Sequence, residues 1–140
     1  LTYSGHPASC AAGLATLDIL NESQIIENGL TDLAPYFSSR LSELADHSIV
    51  GQVRVKGLFA AVELVRDKVS RERLAPDSAA AVYCRDAAIK LGLMVRQTGD
   101  AMIIAPPFVT ERDEIDFLVA QLAVALDYTA KHFGSTQNIA

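Results

Sequence analysis

The chain has 140 residues, half of them hydrophobic and 21% charged, with a net charge of −5. That length suits one domain with its own core. The acidic balance, without any basic run, excludes the electrostatic footprint of a nucleic-acid binder and disfavours an anionic membrane surface.

No apolar run approaches the roughly 18 residues of a membrane span. Leu1-Thr2-Tyr3-Ser4 opens the chain without a methionine, so the chain reads as a piece of a longer protein. Pro7 suits the first turn of a helix, where its missing N–H costs nothing. Residues 8–20 are small and apolar almost all round, which predicts a buried helix. Asn21 with Gln24 has the spacing of a capping box. Ile26, Leu30, Leu33, Phe37, Leu41 and Leu44 then recur at steps of three and four, predicting an amphipathic helix that ends near Asp46. Val53 and Val55 alternate with Arg54 and Lys56, as in a half-exposed strand. Gly57 makes a turn, and residues 58–65 read as a more buried strand.

Residues 66–73 are charged and predict a surface loop. Asp77 or Ser78 can cap a helix over residues 79–91, with Gly92 as its stop. A short strand over 93–96, a turn at Thr98-Gly99-Asp100 and a returning strand over 101–105 follow, broken by Pro106-Pro107. Thr110 with Asp113 starts a last helix that runs to about His132, and the final six residues read as frayed. The order α-α-β-β-α-β-β-α predicts an α+β fold with a small antiparallel or mixed sheet covered by helices on one side. Residues 1–46 read as a connecting segment and 47–140 as the α+β domain.

Chemistry-bearing motifs are few. No Ser/His/Asp spacing, phosphate-binding glycine loop or HExxH run is present. Three histidines are too scattered for a metal site, so no metal is expected. Glu63 and Asp100 read as lone carboxylates. Cys10 and Cys84 form no CxxC or zinc-spaced cluster. Both lie in alanine-rich stretches, which predicts buried free thiols and fits a reducing, cytoplasmic compartment. Thr2 to Pro7, ahead of a helix N-terminus, can hold an anion or simply cap the helix, with His6 as an N-cap. Arg96 can grip a carboxylate with its planar fork or stand solvated at a strand end.

Three segments go further. TYSGHPASCAAGLATLDIL, VRVKGLFAAVELV and LGLMVRQTGDAMIIAPPFVTERDEID resemble, in order and spacing, segments of the class III (ω-type) aminotransferases. These are enzymes that depend on pyridoxal 5'-phosphate, and the resemblance spans nearly the whole chain. It implies the C-terminal small domain of a fold-type I transferase, together with its connecting helix. It also implies a homodimer, a larger N-terminal domain outside this chain, and small-molecule amine and keto-acid substrates.

Residue by residue, the resemblance implies that Thr2 bonds the cofactor phosphate of the neighbouring subunit. Leu1 would line that subunit's substrate pocket, in place of the aromatic residue frequent in the family. Arg96 would bind the substrate carboxylate. The Schiff-base lysine would lie outside the chain, since Lys56, Lys68, Lys90 and Lys131 do not match its place. The implied reaction is amino-group transfer from an amine or ω-amino acid to a keto acid such as pyruvate. Such a chain would be inactive alone. A related aminomutase or decarboxylase, and a stand-alone ligand-binding module, remain alternatives.

Overall fold

The computed structural model describes residues 4–134; Leu1, Thr2, Tyr3 and residues 135–140, including the expected frayed end, lie outside the described residues. Helix α1 spans Pro7–Glu22, with Pro7 in its first turn and His6 as its N-cap. It contributes nothing to the core. Leu20 is half-buried and every other residue of α1 is exposed, Cys10 included. The expectation of a buried helix with a buried Cys10 is therefore corrected for this chain. The helix is apolar almost all round, and its main contact with the rest of the described residues is with the next helix.

The expected capping box at Asn21 and Gln24 does not form. Asn21 lies inside α1, and Gln24 takes a left-handed conformation at the junction without a side-chain capping bond. Helix α2 (Ile25–Asn28) then passes through a π-turn, Gly29–Leu33, into α3 (Ala34–Ser42) and a closing 3-10 turn, Glu43–Asp46. The expected single helix is thus interrupted, although its end is at Asp46. Pro35 is the physical cause: it has no N–H for the carbonyl of the preceding turn, and its ring crowds that carbonyl. The N–H of Ala34 instead reaches back five residues to the Gly29 carbonyl.

Strands β1 (Val50–Lys56) and β2 (Phe59–Leu64) form a hairpin through Gly57 and Leu58. Gly57 has φ +59°, a conformation that glycine reaches without steric cost. β1 begins three residues earlier than the alternation suggested, across an irregularity between Val50 and Gln52. Gly51 sits there, where a Cβ would fall 2.7 Å from a Val65 methyl. Helix α4 spans Ala79–Lys90. The expected caps, Asp77 and Ser78, are both left-handed, and no side chain caps α4. At its other end, Gly92 donates to the Ile89 carbonyl and Leu93 to the Ala88 carbonyl, the paired bonds of a Schellman stop.

Strands β3 (Arg96–Thr98) and β4 (Ala101–Ile104) complete the sheet. The expected strand over 93–96 starts only at Arg96, because Leu93 is still tied to the end of α4 and Val95 is turned into the core. Helix α5 (Arg112–Gly134) closes the fold. Its start lies one residue beyond the expected Thr110/Asp113 pair: Glu114 Oε2 accepts from the Glu111 N–H at 2.9 Å, half of a capping box.

The sheet is wholly antiparallel, in the order β1-β2-β4-β3. Its register puts Val53, Val62 and Met102 opposite one another, with Val55, Ala60 and Ile104 in the next row. Helices α3, α4 and α5 cover this face, and Phe37, Leu41, Cys84, Ile115, Leu122 and Leu126 complete the core. Leu33, Phe37, Leu41 and Leu44 belong to that core, so the hydrophobic interior begins well before residue 47.

Candidate functional site

Period-two alternation sends the remaining side chains of the strands to the opposite face. One row across it reads Arg54, Ala61, Ile103 and Arg96; the next reads Gln52, Glu63, Ala101 and Thr98. Among the described residues no helix packs over this face, and Gln52, Arg54, Arg96 and Thr98 are exposed on it. An open cleft of about 660 Å³ lies along it, with Phe59, Met94, Ile103 and Ala105 as apolar walls and Arg96 and Thr98 as polar ones.

Arg96 occupies the first position of the edge strand β3 and is exposed. Its side chain makes no hydrogen bond or ion pair with any described residue. Most other guanidinium groups are engaged. Arg40 pairs with Asp116 and Glu43, Arg85 with Asp86 and Arg112 with Asp32. Arg71 bonds the Gly51 carbonyl and Gln52, and Arg66 the Leu74 carbonyl. An arginine beside apolar walls, with its fork unused, can take a carboxylate bidentately without first breaking a bond within the protein.

The loop of residues 66–75 reaches the far end of the same face. Arg71 Nη2 lies 3.1 Å from Glu63 Oε2, an ion-pair contact without hydrogen-bond geometry, and Arg73 Nε lies 3.0 Å from Asp100 Oδ2. Glu63 and Asp100, which read as lone carboxylates in the sequence, are therefore both paired. The missed signal was the run of arginines in a segment that seemed to be only a solvated loop.

The other polar cluster lies away from the cleft. Tyr36 Oη and Arg40 Nε both donate to Asp116 Oδ1, at 2.7 and 2.6 Å, clamping α3 to α5. The hydrogen bonds from Tyr36 and Arg40 hold the Asp116 carboxyl below its usual range, and the same bond to Asp116 raises the Tyr36 hydroxyl. At the start of α1, Gly5 has φ +75° and His6 Nδ1 accepts from the Ser9 N–H at 3.4 Å, so His6 is an N-cap. The candidate residues Leu1 and Thr2 lie outside the described residues. Among the described residues, no group of His, Cys, Asp or Glu could hold a metal ion, and no helix is long and apolar enough to cross a membrane.

Comparison with known proteins places this geometry. The family profile for aminotransferase class-III matches residues 1–126. The chain is 44% identical over 129 residues to the putrescine–pyruvate aminotransferase of Pseudomonas aeruginosa, covering 92% of this chain and 28% of that protein. It is 33% identical over 130 residues to the mitochondrial gamma aminobutyrate transaminase 1 of Solanum lycopersicum, covering 93% of this chain and 25% of that one. The solved omega transaminase of Pseudomonas jessenii in complex with PMP superposes with a TM-score of 0.90 at 34% identity, over 96% of this chain and 29% of that one. The chain thus spans less than a third of the length of each of these relatives.

Proposed function

The chain belongs to the class III aminotransferases, and from that premise we propose that it forms the C-terminal part of a pyridoxal-phosphate-dependent transaminase and supplies the clamp for its substrate carboxylate. Residues 1–46 act in this reading as the segment linking the small domain to a larger one, anchored through Phe37 and Leu41. Thr2 bonds the cofactor phosphate of a partner subunit, and Leu1 lines that subunit's pocket.

The cofactor serves as an electron sink for a carbanion once it is bound. It requires a lysine amine, a phosphate cradle and an acid at the ring nitrogen. The described residues bring no such set together. Lys56 stands exposed at the end of β1, Lys68 Nζ donates to the Ala45 carbonyl, and Lys90 and Lys131 lie on helix surfaces. The described part of this chain therefore does not fit the cofactor by itself, and in this reading the chain alone is inactive. Its own residues bind and orient the substrate.

One observation carries the proposal: Arg96 is unpartnered on the uncovered sheet face, between apolar walls. A keto acid such as pyruvate has a carboxylate for it to bind. A simple diamine such as putrescine, named for the relative from Pseudomonas aeruginosa, has none. An arginine held by no other residue can engage the first and stand aside for the second.

In the full-length enzyme, Arg96→Ala should raise KM for pyruvate and for amino-acid donors. Loss of one charge-assisted contact of about 1.5–3 kcal/mol corresponds to roughly 10- to 100-fold. The first half-reaction with a carboxylate-free amine should be nearly unchanged, because that donor offers nothing to the guanidinium. Arg96→Lys should recover only part of the loss, since a point charge lacks the fork. Single-turnover kinetics separate the half-reactions, and equal losses in both would remove Arg96 from the clamp.

A further inference from the structure

We infer that Arg73 is a positioning residue for Arg96, acting through its ion pair with Asp100; the inference rests on the reading of Arg96 as the carboxylate clamp. β3 has three residues, lies at the sheet edge and pairs only with β4. Its pairs are Arg96 with Ile103, Gln97 with Met102 and Thr98 with Ala101. So short an edge strand has few bonds with which to fix the direction of its first side chain. The turn that joins it to β4 must supply the rest.

That turn is Gly99-Asp100, and Asp100 is held twice. Its carbonyl accepts from the Leu64 N–H at 2.8 Å, at the end of β2. Its carboxylate meets Arg73 Nε at 3.0 Å. Arg73 is itself fixed, because its backbone bridges Val65, the residue after β2. Val65 in turn donates to the Ile49 carbonyl. Arg73 thus fastens the β3–β4 turn to the far end of the β1–β2 pair, across the strand order of the sheet.

The burial of the two partners is unequal, and this decides where the effect falls. The Arg73 side chain is 68% exposed and the Asp100 side chain only 17%. Asp100 has no other side-chain partner among the described residues. An exposed guanidinium that loses its partner is solvated at once. A largely shielded carboxylate that loses its partner must turn toward water, because leaving it dry and unpaired is costly. That movement draws the turn outward, and β3 carries Arg96 with it. Displacing a positioning group by about 1 Å is enough to change rates on the order of 100-fold.

The test is a set of variants of the full-length holoenzyme, assayed by half-reaction. Arg73→Ala should raise KM for pyruvate by about tenfold, less than Arg96→Ala does, because the clamp is displaced and not deleted. Its first half-reaction with a carboxylate-free amine should stay near the parent value. Asp100→Asn removes the shielded charge together with the pair, so its loss should be smaller than that of Arg73→Ala. Arg73→Lys keeps the charge and should recover most of the loss.

Equal losses with both substrate types, accompanied by a lower Tm, would mean that the pair holds the fold and does not aim Arg96. No change in either half-reaction would also overturn the inference. Selective loss with Arg96→Ala but not with Arg73→Ala overturns the inference alone. If Arg96→Ala is itself unselective, the clamp reading falls and this inference falls with it.

Discussion

Cys84 lies fully buried on α4, where desolvation pushes its thiol up to about 11 despite the hydrogen bond with Thr129. Cys10 lies exposed on α1. The thiolate is the reactive form, so burial makes Cys84 inert twice over, by excluding both reagent and charge. For the 140-residue chain, an aromatic disulfide reagent at about pH 8 should titrate one thiol quickly and the second only after denaturation. Cys10→Ser should abolish the fast phase, and a fast phase that survives it would contradict the placement of Cys84. The two cysteines sit in similar alanine-rich stretches, so local sequence could not separate them. What separates them is whether another helix packs on theirs: α5 packs against α4, whereas among the described residues α1 meets chiefly α2 and has no buried residue. Arg96 illustrates the same limit. The motif suggested its proposed chemistry, but its lack of a partner depends on where a distant loop sends Arg71 and Arg73.

Gly92 shows what short-range sequence does encode. It stops α4 at φ +86°, and a Cβ there would meet only the Phe117 ring, at 3.9 Å. Gly92→Ala should therefore cost backbone strain and no clash, lowering stability by about 1–2 kcal/mol. A urea melt of the chain would measure it, and an unchanged midpoint would mean that the left-handed stop is not needed. Gly57 was legible for the same reason, as was the alternation of Val53 and Val55 with Arg54 and Lys56: turn chemistry and period two are local. The break between α2 and α3 was not read, because the leucine spacing runs on through it. Pro35 was the available signal, one turn late in the pattern. Asp77 and Ser78 had the composition of caps but were needed as left-handed links, which composition alone does not distinguish.

The described residues leave uncovered both the mixed outer face of the sheet and the apolar helix α1. On α1, Leu14 is 64% exposed, Leu17 56% and Ile19 59%, and no residue is buried. A helix that is apolar all round and alone in water presents a sticky surface. The 140-residue chain should accordingly self-associate at micromolar concentration or bind a hydrophobic dye. Leu14→Glu with Leu17→Glu should suppress both without lowering the melting of the α3–α4–α5 core. Sedimentation velocity reports the first effect, and a monodisperse parent chain that also binds no dye would refute the expectation. The sheet has a different consequence. Its side chains divide into a set locked against the helices and a set facing outward, and the β-pleat keeps the two apart residue by residue. Substitution at Arg54, Lys56, Phe59 or Thr98 opens no cavity in the core, so natural variation can explore those positions at nearly constant stability. The fold thus carries a variable surface on a fixed support, and side chains on that surface can change without a stabilising change elsewhere.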